Sequence, residues 1–227
     1  MVNLCIIPAR GGSKRIPRKN IKGFLGKPII AYSIEAAINS KLFDEVMVST
    51  DDVEIAETAK KYGAKVPFLR SKTNASDVAT TAAVIDEVLQ NYQNEGMKFD
   101  FVCCIYPCAP FVNDTKLKSA FELLKEKQFD TVFPVIAFSF PIQRALKITN
   151  NKLSFIQPEY ALTRSQDLEQ SFQDSGQFYW MSVPAFQKKG KIVTENCGGI
   201  VVSEMEAHDI DNEIDWKMAE LKYKMLK

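Results

Sequence analysis

Seven cations lie between positions 10 and 27 of this chain: Arg10, Lys14, Arg15, Arg18, Lys19, Lys22 and Lys27. No acid precedes Glu35 to balance them. Gly11 and Gly12 stand among the first of these cations. With no Cβ in the way, glycine backbone N–H groups can approach an anion closely. Glycines beside uncompensated positive charge suit a polyphosphate. The spacing matches neither the G-x-x-x-x-G-K-[ST] loop nor the G-x-G-x-x-G turn. A solvated basic loop is the plain alternative, as for most charge runs. Here the glycines follow a strand-like run, which favours the anion site.

A second cluster reads Asp209-Ile210-Asp211-Asn212-Glu213-Ile214-Asp215. Residues two apart in extended chain point to one side. Asp209 and Asp211 therefore form a pair of hard oxygen ligands suited to Mg²⁺, which takes one or two carboxylates plus phosphates. Helix capping explains Asp211, Glu213 and Asp215 equally well, but not Asp209. Ile192 to Trp216 holds seven acids and no Lys or Arg. Charges so segregated in sequence are expected to meet in space. His208, the single histidine, reads as a surface residue before a turn. Cys103, Cys104 and Cys108 lack zinc-site spacing and read as reduced thiols of a cytoplasmic protein.

The elements that must position these groups follow from pattern. Leu4 to Ile7 is an apolar run, as in a parallel strand covered on both faces. Pro28 opens a helix with Ile30, Ile34, Ala37 and Ile38 on one face. Glu45 to Thr50 is a strand, and Asp51 caps the helix after it. Lys65 to Leu69 reads as a third short strand. Ala75-Ser76-Asp77 leads into a long helix carrying Val84 to Tyr92. Phe101 to Tyr106 is a strand ending in the turn Pro107-Cys108-Ala109-Pro110. That edge is where open α/β sheets bind ligands. Thr131 to Phe138 is a strand whose Pro134 predicts an edge or a bulge. From Ser139 to Ser175 the rhythm breaks into a long irregular insert, a feature usually tied to function. Glu213 to Leu226 closes the chain as a helix packed through Ile214, Met218, Leu221 and Met225.

This alternation predicts an α/β fold: a Rossmann-like, doubly wound, mostly parallel sheet in one domain spanning 1–227. Lys plus Arg number 29 against 28 Asp plus Glu, which argues against a general nucleic-acid or membrane-surface binder. No segment is long and apolar enough to span a bilayer, and no signal-peptide pattern opens the chain. The expected compartment is cytoplasmic.

Ile7 to Asn20, I-P-A-R-G-G-S-K-R-I-P-R-K-N, resembles the first motif of the sugar-acid cytidylyltransferases. Ala75 to Thr81, Y-P-C-A-P-F, G-Q-F-Y-W and D-I-D-N-E-I-D resemble later motifs in matching order. The resemblance implies a nucleotidyltransferase-type fold and transfer of CMP from CTP to a nine-carbon sugar acid, with pyrophosphate released. It implies that Ala9, Arg10, Gly11, Gly12, Ser13, Asn20, Thr80 and Thr81 contact the nucleotide. Lys14, Lys19 and Asp211 would be catalytic, with Mg²⁺ on Asp209 and Asp211, and Asp215 capping. The sugar acid would meet Tyr106, Gln143, Arg164, Gln177 and Tyr179. Residues 139–176 would be an inserted arm that docks on a second subunit, giving a homodimer.

Tyr106 stands where sialic-acid members carry Gln, and Gln143 where they carry Lys. The chain is thus more similar to the pseudaminic acid branch, with N-acetylneuraminate (sialic acid) the alternative substrate. Two other classes remain: a nucleotide-sugar-dependent glycosyltransferase, which would more often show an internal D-x-D, and a non-catalytic nucleotide-binding module, which would not need the acidic pair. No side chain declares itself as general base.

Overall fold

The computed structural model describes residues 1–226. The chain opens with β1 (Asn3–Pro8) and the glycine loop, closed by a 3-10 turn at Lys19–Ile21. A short ribbon, β2 (Gly23–Phe24) on β3 (Lys27–Pro28), leads to α1 (Ile29–Ser40). Next come β4 (Glu45–Ser49), α2 (Val53–Lys61), α3 (Thr81–Asn94), β5 (Phe101–Ile105), α4 (Asp114–Lys127) and β6 (Thr131–Ala137). A hairpin of β7 (Leu146–Thr149) and β8 (Lys152–Phe155) precedes β9 (Phe172–Asp174). The chain ends with β10 (Phe178–Ser182), α5 (Val183–Lys189), β11 (Cys197–Val201) and α6 (Glu213–Met225).

The main sheet has the order β11-β6-β10-β5-β1-β4, with β9 also paired to β6. β1 runs parallel to β4 and β5, and β6 runs parallel to β11. β10 lies antiparallel between β5 and β6, and β9 is antiparallel to β6. All other strands of the sheet therefore run one way, and the mostly parallel expectation holds. The C-terminal ends of β1, β4 and β5 share one edge. Because β10 is reversed, its N-terminal end reaches that same edge.

Alternation along β1 explains the layers. Cys5 and Ile7 face one core, with Ile30 and Ile34 of α1 and Leu117 and Phe121 of α4. Leu4 and Ile6 face the other, with Ile85 and Val88 of α3 and Phe186 of α5. Both faces are covered, so near-continuous apolar strands are the stable solution. A third cluster lies under the site. Ile16 of the glycine loop, Phe111 after the proline turn, Ile210 of the acidic segment and Trp216 of α6 pack together there. Burying a side chain such as Ile210 contributes roughly 1.5–3 kcal/mol. Three distant segments are thereby tied to one point.

Several local expectations need correction. Lys65 to Leu69 forms no strand; only Lys65 bridges to Met47. Pro67 lacks the N–H that a ladder would need. The cap of α2 is Asp52, whose carboxylate accepts from Ile55 N at 2.9 Å, and not Asp51. β6 is an interior strand, paired on both sides. Pro134 sits at the seam where its neighbour changes from β10 to β9, so no ladder donor is lost there. The inward face of α6 is also different. Trp216 and Ala219 are buried, whereas Ile214, Met218, Leu221 and Met225 are exposed. Edge-on aromatic packing decides this: Phe24 meets Trp216 at 5.6 Å and Tyr223 at 5.7 Å.

Candidate functional site

The glycine loop begins where β1 ends. Ala9 is buried and donates its N–H to Ser49 O at 2.9 Å, extending the β1–β4 pairing. Asn20, also buried, donates Nδ2–H to Arg10 O at 2.9 Å and closes the loop at its base. Both residues therefore shape the loop. Gly11 N–H is taken by Asp51 Oδ1 at 2.9 Å. A Cβ on Gly11 would stand 2.8 Å from Asp52 Oδ2, so the close approach of Asp52 requires glycine there. Gly12 is different: a Cβ there would meet nothing within 4 Å. Gly12 is exposed to solvent.

Two adjoining cavities flank the loop. One, of about 350 Å³, is lined by Arg10, Ser13, Lys14, Arg15, Lys19 and Asn20. The other, of about 420 Å³, shares Arg10 and Arg15 and adds Arg70, Asn74, Asp77, Thr81 and Tyr106. Such volumes suit small-molecule ligands. Arg10 pairs with Asp77 at 2.6 Å, and Lys14 pairs with the other oxygen of the same carboxylate. Lys14 first, then Arg10, hold the Asp77 carboxyl below its usual range.

The acidic segment comes to this loop from the far end of the chain. Arg15 pairs with Asp211 at 2.6 Å. Lys19 Nζ donates to Ile210 O at 2.7 Å across 191 residues of sequence, and Lys22 pairs with Glu213 at 2.6 Å. The separated charges do meet. Ile210 is buried and the aspartates on either side are not, as alternation requires. Asp209 keeps contact with solvent, but protein crowds its carboxyl. That desolvation raises its pKa, and the charge of Asp211 adds to it. Two acids of like charge, one destabilised as an anion, are a donor set that a divalent cation relieves. Among the described residues no group of three or more His, Cys, Asp or Glu gathers as a metal centre. A pair is what Mg²⁺ shared with phosphates needs, so the residues fit. Asp215 instead completes the capping box of α6: Asn212 is the N-cap, accepting from Ile214 N at 2.8 Å, and Asp215 Oδ2 accepts in return from Asp211 N and Asn212 N at 2.9 and 3.0 Å.

His208 is not a surface residue. It is half-buried, and its Nε2 is buried with no hydrogen-bond partner among the described residues. Burial, then the charge of Lys222, hold its imidazole below the usual value. It lines a third cavity, of about 350 Å³, together with Asp174, Ser175, Asp209 and Lys222. Ser175 is 4% exposed, and its Oγ also lacks a partner. Gly176, at φ +64°, brings this turn against Asp209.

The sequence-derived sugar contacts separate into three places. Tyr106 faces the 420 Å³ cavity, with its hydroxyl 3.3 Å from Thr81 Oγ1. Burial raises its phenol pKa. Tyr179 and Gln177 lie inside the protein. Tyr179 OH donates to Asp174 at 2.5 Å, and Gln177 Nε2–H donates to Glu206 O at 2.9 Å. Gln143 donates to Glu169 O within the arm, and Arg164 is exposed there. On the nucleotide side, Thr80 is the cap of α3, accepting from Ala83 N at 3.1 Å, while Thr81 lines the cavity. Sequence reasoning missed Arg70. It is buried, donates to Ser49 Oγ at 3.0 Å and reaches the cavity wall, but it belongs to no motif. Asp77 lay inside a quoted motif, yet only the fold shows which cations it meets.

Comparison with known proteins supports one reading of this edge. The family model described as cytidylyltransferase matches residues 4–223. The chain is 44% identical over 226 residues to a pseudaminic acid cytidylyltransferase of Campylobacter jejuni, covering 99% of this chain and 97% of that one. It is 32% identical to a CMP-N,N'-diacetyllegionaminic acid synthase of Legionella pneumophila, covering 96% and 94%. Among solved structures, a CMP-2-keto-3-deoxy-manno-octonic acid synthetase complexed with CTP superposes with a TM-score of 0.75 at 15% identity, covering 100% of both chains. That likeness shows the fold. The family match over nearly the whole chain, on a sheet whose loop and acidic pair converge, places the chain in the cytidylyltransferase family.

Proposed function

We propose that this cytidylyltransferase activates pseudaminic acid with CTP, forming CMP-pseudaminic acid and releasing pyrophosphate. The observation that carries the sugar assignment is the full-length, 44% identity to a pseudaminic acid cytidylyltransferase. The phosphates of CTP lie over Gly12, Ser13, Arg10, Lys14 and Lys19. The nucleoside fills the adjoining cavity beside Arg70, Thr81 and Tyr106. The sugar acid enters the third cavity, where the unpartnered Ser175 Oγ and His208 Nε2 are available to its polar groups. Asp209 stands on the wall of that cavity, and Asp209 and Asp211 together would hold Mg²⁺. A divalent cation bound there would supply Lewis acidity and neutralise phosphate charge.

The anomeric hydroxyl attacks the α-phosphorus, giving up its proton to solvent, and the bond to the bridging oxygen breaks. Pyrophosphate leaves with the electron pair. Arg10, Lys14 and Lys19 neutralise charge as it moves toward the leaving group, and the loop fixes the line of attack. Tyr106 and Tyr179 pack edge to face at 5.6 Å. They form the partition between nucleoside and sugar.

The molecule acts as one domain with an arm at 139–176, and as a homodimer. Gln143 and Arg164, on the arm, then serve the partner's sugar site. Exposed apolar side chains on the arm support this, among them Ile148, Leu153, Ile156 and Leu162. Use of CTP and five free thiols fit a cytoplasmic enzyme. No helix of the described residues is long and apolar enough to cross a membrane.

The test is pyrophosphate release over CTP, UTP, ATP and GTP, each with pseudaminic acid and with N-acetylneuraminate. Turnover with CTP and pseudaminic acid is expected to exceed all other pairs. A preference for N-acetylneuraminate overturns the sugar assignment alone. Release with no sugar acid at all overturns the reaction.

A further inference from the structure

The cations that suit a triphosphate already have a partner. Arg10 and Lys14 are both taken by the two oxygens of Asp77, at the mouth of the larger cavity. Asp77 is half exposed and lies in the turn-rich stretch between α2 and α3. That stretch is held from below: Glu87 on α3 accepts from Ser71 N at 2.7 Å, from Ser71 Oγ at 2.9 Å, and from Asn74 Nδ2. The carboxylate is thus delivered by an anchored segment. The smaller cavity and the open Gly12 lie on the loop side of the same two cations.

We propose that Asp77 competes with the phosphates for Arg10 and Lys14, and that it reclaims both cations as pyrophosphate leaves. This rests on the reading of the loop as the phosphate site. A ligand that needs both cations must break two ion pairs, so its apparent affinity falls by the fraction of time the pairs are open. A ligand that does not use these cations pays nothing. On this reading Arg10 and Lys14 hold the β- and γ-phosphates, which CMP lacks, so Asp77 weakens CTP and pyrophosphate together and leaves CMP alone. An enzyme at risk of holding its highly charged product gains a faster release at modest cost in substrate affinity. Exposed ion pairs are individually weak and screened by salt, so the effect is a few-fold to about tenfold at low ionic strength.

The experiment is titration calorimetry of CTP, pyrophosphate and CMP, without sugar acid, on wild type, Asp77→Asn and Asp77→Glu. Asp77→Asn is expected to bind CTP and pyrophosphate about three- to tenfold more tightly by the same factor, with CMP unchanged. The gain should shrink at high salt, and Asp77→Glu should stay near wild type. Thermal melting of each variant checks the fold, and Asp77→Ala repeats the test without an amide. Unchanged or weaker pyrophosphate binding in both neutral variants overturns the proposal. Absence of CTP binding in the wild type overturns the phosphate loop itself, a separate failure.

Discussion

At the residue scale the site is an arrangement of opposed charges, distant in sequence, that the fold brings into ion pairs. Asp211 shows how one residue type serves different ends. Asp215 completes the capping box of α6, while the Asp211 carboxylate crosses to Arg15 at 2.6 Å. Asp211→Asn keeps the shape and removes the charge. Under the proposed metal role, the loss of this carboxylate acts on the transition state, so kcat is expected to fall on the order of a hundredfold or more, with metal-free CTP binding retained. Steady-state kinetics over a Mg²⁺ series, beside CTP titration in chelator, checks this. Turnover near wild type would remove Asp211 from the chemistry.

At the scale of elements, the entry to α2 is where folding and the loop meet. Asp52 caps that helix and also binds Arg18, with Nη1 at 2.5 Å from its Oδ2. The Arg18 hydrogen bond chiefly, with the Ile55 amide helping against desolvation, holds the Asp52 carboxyl below its usual value. The folded chain therefore binds this proton less tightly than the unfolded chain. The resulting stability is complete above the unfolded pKa and is lost as pH falls through the lower folded value. Asp52→Asn keeps a good cap and loses the charge. Thermal melting between neutral and strongly acidic pH should show a shallower acid loss in the variant than in the wild type. Parallel curves would mean that Arg18 adds nothing to the cap.

At the scale of the whole molecule, two apolar surfaces stand outside the cores. The outer stripe of α6 carries Ile214, Met218, Leu221 and Met225, and the arm carries Ile148, Leu153 and Ile156. A two-stranded hairpin such as β7–β8 is marginal in water without a surface to cover it. Sedimentation velocity is expected to show a dimer. Leu153→Asp should shift it toward monomer while the circular dichroism of the sheet stays native. Activity should fall with the dimer if, as proposed, Gln143 and Arg164 serve the partner's sugar site. A wild-type monomer at micromolar concentration would end this reading of the arm.

The sequence alone determined the layered architecture and the chemistry of its two charged segments. Apolar runs such as Leu4–Ile7 can satisfy their backbone only in a covered sheet, and a run of cations without acids must find its counter-charges elsewhere. Local pattern was enough for β1, β5 and the capping role of Asp215, because their partners or periods lie within a few residues. It was not enough where two solutions compete at nearly equal cost. The two apolar stripes of α6 look alike in sequence, and contacts with Phe24 and Tyr32 chose between them. Asp51 and Asp52 are equal as caps until Gly11 N–H claims one and Ile55 N–H the other. Gln177 and Tyr179 carry groups able to bind a sugar, yet both are buried, with Gln177 Nε2 donating to Glu206 O and Tyr179 OH to Asp174. Arg70, Asp77 and Ser175 owe their places to chain crossings that no local spacing encodes. Hydrogen-bond and charge pairing over long sequence separations is decided by the packed sheet, and only tertiary structure fixes it.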